Sequence, residues 1–205
     1  MPAGLNVEGQ VTIQYCHSCA EQVLTYTARS DDRVDVRCAY CGLPLGRQFP
    51  EAEVPIECAL LADDEKFSRW VLRDLLVENH LAKTVVPCEG GTQLLTRFTE
   101  RLRRKEPTQL IVLDILMPDL DGLAAAKAIR AVERGFGITW PVPILFLSAL
   151  RPDTAIRNFV ARVQPALFLN KAVDATPDRL AIQLREMIEY FSRARNGALA
   201  IPVAV

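Results

Sequence analysis

The chain carries no excess charge of either sign: its 205 residues hold 24 Lys and Arg against 25 Asp and Glu, a formal net of −1. That balance excludes a globally basic nucleic-acid binder and a disordered polyelectrolyte, though not a local patch. Long hydrophobic runs are missing as well. The longest uncharged stretch, Gly135 to Leu150, is interrupted by Pro141 and Pro143 and is too short to span a bilayer. The opening MPAGLNVEGQ has neither a basic n-region nor an apolar h-region, so no signal peptide is expected and the chain is expected to stay in the cytoplasm. Its six cysteines should then remain reduced, serving as ligands or core side chains before disulfides. What is present is apolar: half of the residues are hydrophobic, enough for one full domain and a small one, or one large domain.

Composition divides the chain near residue 50. Residues 1–55 hold Arg29, Arg33, Arg37 and Arg47 against seven carboxylates, a net of −3, and the remainder carries +2. Four of the six cysteines lie in the first part. The stretch Phe49-Pro50-Glu51-Ala52-Glu53-Val54-Pro55 has two prolines that interrupt regular structure and reads as a linker. The expected organisation is a tail over 1–11, a cysteine module over 12–48, a linker over 49–55, a larger domain over 56–195 and an apolar tail over 196–205.

The larger part alternates short apolar runs with amphipathic stretches. Runs at Ile56–Ala62, Thr84–Cys88, Leu110–Leu113, Val142–Leu147 and Ala166–Leu169 suit strands buried on both faces of a parallel sheet. Helical spacing separates them: Phe67-Trp70-Val71-Asp74-Leu75, then Leu94-Leu95-Phe98-Leu102, Leu123 to Ile129, Ala155 to Val160, and Leu180-Ile182-Leu184-Met187-Ile188-Phe191. Trp70 and the Leu94–Leu102 stripe are expected to face the core, as are Cys58 and Cys88. The run Arg101, Arg103, Arg104 and Lys105 is expected to be a solvated helix end. Five β-α repeats predict an α/β fold with a five-stranded doubly wound parallel sheet.

Such sheets bind ligands at the carboxyl ends of their strands. The first strand there ends in Asp63-Asp64, the third in Asp114, the fourth in Ser148 and the fifth in Lys171. Taken singly, the acidic pair reads as a helix cap, Asp114 as a turn residue, Lys171 as a surface lysine and Ser148 as a loop serine. Together they place three carboxylates, a hydroxyl and an ammonium on one edge. Crowded carboxylates need a cation or a shared proton, and an all-oxygen set suits Mg²⁺. An ammonium beside that site is placed to hold an anion, so the edge can carry a phosphoryl group on an aspartate.

The segment Asp114-Ile115-Leu116-Met117-Pro118-Asp119-Leu120-Asp121-Gly122 resembles the D-x-x-M-P-x-x-D-G phosphoacceptor segment of response-regulator receiver domains. With Asp63-Asp64, Ser148 and Lys171 in the matching order, the resemblance covers about residues 56–195. It implies a flavodoxin-like receiver fold in which Asp114 is phosphorylated by a histidine kinase or phosphotransfer protein of a two-component system. It also implies Mg²⁺ held by Asp63, Asp64, Asp114 and the backbone carbonyl of Leu116. Lys171 would pair with Asp114 and then with phosphoryl oxygens, Ser148 would bond the phosphoryl group, and Phe168 would be the aromatic that follows the switch. Ala172 stands where the family usually has proline, and a cis bond before alanine would cost roughly 3 kcal/mol.

Cys16-His17-Ser18-Cys19 and Cys38-Ala39-Tyr40-Cys41-Gly42 form two C-x2-C pairs with zinc-site spacing. Two cysteines three apart on a tight turn can point at one tetrahedral ion, and metal binding would supply folding energy that a module this small lacks. The segment resembles a zinc ribbon, a small β-hairpin module with structural Zn²⁺ on Cys16, Cys19, Cys38 and Cys41. A rubredoxin-like iron site and a thiol redox pair share the spacing. His17 is read as a bystander. An acidic ribbon without clustered Lys or Arg favours protein partners over nucleic acid.

The first functional expectation is a phosphorelay response regulator that signals through protein contacts with a downstream target, a homodimer being allowed, with no separate output domain and no catalysis beyond its own phosphorylation and dephosphorylation. The runner-up is a pseudo-receiver scaffold that binds partners without being phosphorylated. A Mg²⁺ phosphohydrolase of the haloacid dehalogenase type ranks below both, because it would need an aspartate where Leu116 stands.

Overall fold

The computed structural model describes residues 12–16, 19, 21–30, 33–40, 43, 45, 56–149, 152–171 and 176–195. Its N-terminal part holds three strands, β1 (Ile13–Cys16), β2 (Glu21–Ser30) and β3 (Arg33–Cys38), in an antiparallel sheet of order β1-β2-β3. The expected hairpin is therefore a three-stranded meander. Its long middle strand pairs with β1 through Glu21–Leu24 and with β3 through Thr25–Ser30, so one ten-residue strand serves two partners in succession. The linker 49–55, the two tails, Cys41 and Ala172 lie outside the described residues.

The remaining strands are β4 (Ile56–Ala62), β5 (Ala82–Cys88), β6 (Leu110–Leu113), β7 (Ile144–Ser148) and β8 (Ala166–Asn170). They alternate with α1 (Lys66–Glu78), α2 (Gly91–Arg103), α3 (Gly122–Gly135), α4 (Thr154–Arg162) and α5 (Pro177–Arg195). All four strand pairings are parallel, in the order β5-β4-β6-β7-β8, which is the doubly wound sheet expected. This sheet begins with β4, next to one edge, steps out to β5 at that edge, then reverses through the central β6 to β7 and β8. β4 and β6 are therefore neighbours, and their carboxyl ends meet at the point where the winding reverses. Every residue of β6, β7 and β8 is buried, because helices cover both faces.

Two of the expected helix faces are corrected. Trp70 is 56% exposed and Phe67 66%, so they do not face the core; α1 buries the expected Leu75 together with Leu72 and Leu76. The stripe read through Phe67, Trp70, Val71, Asp74 and Leu75 meets the buried ridge only at Leu75, and the ridge runs on through Leu72 and Leu76. Likewise Ile182 is exposed on α5, which buries Leu184, Met187, Ile188 and Phe191. The α2 stripe is as expected, with Leu94 and Phe98 buried. Cys58 and Cys88 are core side chains, and burial raises both thiols, Cys88 to about 11. Arg101 leaves the basic run: its guanidinium donates to Thr108 Oγ1, Glu106 Oε2 and the Pro107 carbonyl, tying down the connection from α2 to β6.

A buried ion pair ties α3 to the sheet. Arg130 Nη1 meets Glu133 Oε2 at 2.7 Å, while Arg130 also donates to the carbonyls of Val163 and Pro165 and Glu133 accepts the Val142 N–H. The N-terminal module packs on the same body. Val23, Leu43 and the cysteines Cys16, Cys19 and Cys38 share one apolar cluster with Leu169, Leu184 and Met187. Arg157 of α4 pairs with Glu21 of β2, lies 4.9 Å over the Tyr40 ring, and donates to the Pro152 carbonyl at 3.0 Å. Among the described residues, no helix is long and apolar enough to cross a membrane.

Candidate functional site

Backbone bonds lock the end of β4 to both of its neighbours: Asp114 N–H, after β6, donates to the Ala62 carbonyl at 2.9 Å, and Asp63 N–H donates to the Cys88 carbonyl of β5 at 3.3 Å. These bonds bring carboxylate oxygens of Asp63, Asp64 and Asp114 within 4.8 Å of one another. Asp63 is buried, Asp64 exposed and Asp114 between the two. Asp63 Oδ1 accepts the Glu65 N–H at 2.9 Å, and the Arg69 guanidinium holds the carbonyls of Asp63 and Asp64 at 2.7 and 3.0 Å. The turn from β4 into α1 is thereby fixed around the acidic pair.

Lys171 follows β8, and its N–H donates to the Ser148 carbonyl at the end of β7. Its ammonium crosses to Asp63 Oδ2 at 2.5 Å and to Asp114 Oδ2 at 3.1 Å. Asp114 Oδ1 accepts the N–H groups of Ile115 at 2.6 Å and Leu116 at 3.4 Å, so both its oxygens are held. Ser148 is buried at the same edge, and Phe168 is buried in β8. Of the expected residues, Asp63, Asp64, Asp114 and Lys171 therefore converge. Sequence reasoning missed Ser68, whose hydroxyl donates to Asp63 Oδ2 at 2.6 Å and lies 3.3 Å from Lys171 Nζ. It stands one helical turn beyond the acidic pair, which was the available signal.

The loop after Asp114 is shaped by close approaches. A Cβ on Gly122 would sit 2.1 Å from the Asp114 carbonyl oxygen, so only glycine lets α3 start there. Asp121 caps α3 through the Ala124 N–H at 2.8 Å. Asp119 reaches across to α2, accepting the N–H groups of Gly91 at 3.3 Å and Thr92 at 3.0 Å. Burial works against the Asp119 charge, but bonds from Leu120, Thr92 and Gly91 hold its carboxyl below the ordinary value.

Three carboxylates with one neighbouring ammonium leave an excess of negative charge, and their oxygen donors fit a hard divalent ion such as Mg²⁺. A second cluster lies in the N-terminal module, where the sulfurs of buried Cys16, Cys19 and Cys38 are all within 4.8 Å of one another. Cys19 and Cys38 Sγ are 3.7 Å apart. Two thiolates at about 2.3 Å from a tetrahedral ion are about 3.8 Å apart, so the spacing fits zinc. The Tyr40 N–H donates to Cys38 Sγ at 3.3 Å, as it would to a ligating thiolate. A cavity of about 560 Å³ lies elsewhere, at the opposite end of the strands beside Ile56, Leu110, Trp140 and Phe191, and belongs to neither cluster.

The response regulator receiver domain family matches residues 59–183, more than half of the chain. The chemotaxis protein CheY of Bacillus subtilis is 32% identical over 74 residues, 36% of this chain and 57% of that protein. The histidine kinase CKI1 of Arabidopsis thaliana is 29% identical over 136 residues, 62% of this chain and 12% of that protein. The chain thus spans less than two thirds of either relative. The solved receiver domain of CKI1, complexed with Mg²⁺ and BeF₃⁻, superposes with a TM-score of 0.55 at 26% identity, covering 66% of this chain and 89% of that one. Matching order, topology and acidic edge agree with the family assignment: this chain belongs to the response regulator receiver domain family.

Proposed function

We propose that the protein is a phosphorelay response regulator that accepts a phosphoryl group on Asp114 from a histidine kinase or phosphotransfer protein. The observation that carries this reading is the Lys171 ammonium bridging Asp63 and Asp114 beside a third carboxylate. One Asp114 carboxylate oxygen attacks phosphorus, the bond from phosphorus to the donor breaks, and an acyl phosphate forms. Mg²⁺, held by Asp63, Asp64, Asp114 and the Leu116 carbonyl, would neutralise phosphoryl charge during the transfer. The N–H groups of Ile115 and Leu116 fix the attacking carboxylate. Lys171 follows the charge from Asp114 to the new phosphoryl oxygens, and Ser148 donates its hydroxyl to the same group. Phe168 pairs with Phe146 across β7 and β8, and it is the aromatic that follows when Ser148 moves toward the phosphoryl group.

The Mg²⁺ and BeF₃⁻ bound by the CKI1 receiver domain support the same assignment here. The protein catalyses only its own phosphorylation and dephosphorylation, acts in the cytoplasm and reports by contact with a downstream protein. Structural Zn²⁺ on Cys16, Cys19, Cys38 and Cys41 holds the N-terminal module, which offers an acidic docking surface. Intact mass after incubation with acetyl phosphate tests the central step. One phosphoryl adduct that needs Mg²⁺ and is absent in Asp114→Asn is expected. No adduct, together with no beryllofluoride binding, refutes it and leaves a non-phosphorylated scaffold.

A further inference from the structure

We propose that Ser68 is a positioning residue that sets Mg²⁺ affinity by completing a three-point seat for Lys171 and locking Asp63. This deepens the metal site of the preceding reading and rests on it. An ammonium has three N–H donors. Lys171 Nζ has three acceptors within reach: Asp63 Oδ2 at 2.5 Å, Asp114 Oδ2 at 3.1 Å and Ser68 Oγ at 3.3 Å. The Ser68 hydroxyl spends its own proton on Asp63 Oδ2, at 2.6 Å. Asp63 Oδ2 thus accepts two charge-assisted bonds, and Oδ1 accepts the Glu65 N–H. The carboxylate cannot rotate while these bonds stand, and Oδ1 keeps one lone pair for a cation.

Removing the hydroxyl acts twice, in the same direction. Asp63 loses one of the bonds that orient it, and the ammonium, short of one acceptor, settles more tightly between the two carboxylates that the metal needs. Both effects weaken metal binding. Groups that orient a ligand carboxylate from behind typically contribute about 10- to 100-fold to metal affinity. Ser68 is half-buried in the first turns of α1, and a comparison of two β-branched replacements adds the same bulk in both, so the hydroxyl is the feature under test.

The test compares Ser68→Thr with Ser68→Val in the full chain, two substitutions of nearly equal shape that differ in the hydroxyl. Mg²⁺ is titrated without any phosphodonor, by calorimetry or through tryptophan fluorescence, and thermal melting in Mg²⁺-free buffer that contains no chelator confirms that both variants fold alike. Ser68→Thr should bind within about threefold of the parent, and Ser68→Val about tenfold more weakly. Equal affinities for the two variants overturn the role of Ser68 while leaving the metal site intact. Absence of Mg²⁺ binding in the parent chain overturns the metal site itself, and the role of Ser68 with it.

Discussion

Gly122→Ala is the sharpest perturbation of the acidic edge that leaves every chemical group in place. The added Cβ would lie 2.1 Å from the Asp114 carbonyl oxygen, whereas real Cβ contacts under 3.0 Å essentially do not occur. Backbone must therefore separate by about 0.9 Å. α3 cannot yield easily, because Ala125, Ala126 and Ile129 are fully buried against the sheet. The displacement falls on residues 114–121, which carry the carboxylate and the N–H groups that orient it. A misplacement of that size costs on the order of 100-fold in rate, and crowding of a packed backbone costs about 1–3 kcal/mol in stability. Phosphorylation by acetyl phosphate, followed by intact mass over time at saturating Mg²⁺, separates the two effects when paired with a urea melt. A Gly122→Ala protein that is phosphorylated within threefold of the parent rate and melts at the same urea concentration would refute the geometric argument.

Other consequences are simpler to check. Arg130→Ala leaves the Glu133 carboxylate buried without its partner, and should lower stability by about 3–5 kcal/mol in a denaturant melt, whereas Glu133→Gln should cost less. Asp119→Ala should lower stability by about 1 kcal/mol at neutral pH by uncapping α2. Since the folded Asp119 carboxyl titrates below its ordinary value, the advantage over Asp119→Ala is complete above that value and fades as pH falls through the folded one. Urea melts from pH 6 to pH 2.5 would show a constant gap if this is wrong. Chelation should expose Cys16, Cys19, Cys38 and Cys41 to a thiol reagent at pH 8. Cys88, with a thiol at about 11 and so roughly one part in a thousand ionised, should stay unlabelled, and equal labelling of all six would contradict the two-class assignment.

The sheet and its acidic edge were legible because strand ends are local: Asp63, Asp114, Ser148 and Lys171 each terminate an apolar run, and the winding order alone brings those ends together. Helix faces were less so. α1 has apolar residues on two sides, and periodicity through Phe67 and Trp70 competes with periodicity through Leu72, Leu75 and Leu76; only packing against β4 and β5 decides. Contacts that join distant segments left no local trace. Nothing near Asp119 announces that its oxygens cap a helix 28 residues earlier, nor near Arg130 that it serves carbonyls 33 and 35 residues ahead. Ser68 falls between these cases, close in sequence to the acidic pair but recognisable only once Lys171 arrives from 103 residues away.

Arg157 stands where two parts of the chain meet, with one guanidinium nitrogen on Glu21 of the cysteine module and on the Pro152 carbonyl ahead of α4. A shared cation makes the two attachments one thermodynamic account rather than two. A shift of Pro152 or Arg157 that alters the contact with Glu21 changes how firmly the module is seated, and by linkage the seated module resists that shift with the same free energy. On the proposed reading, the fit of an ion among the sulfurs of Cys16, Cys19 and Cys38 would be felt as a bias on phosphoryl transfer at Asp114.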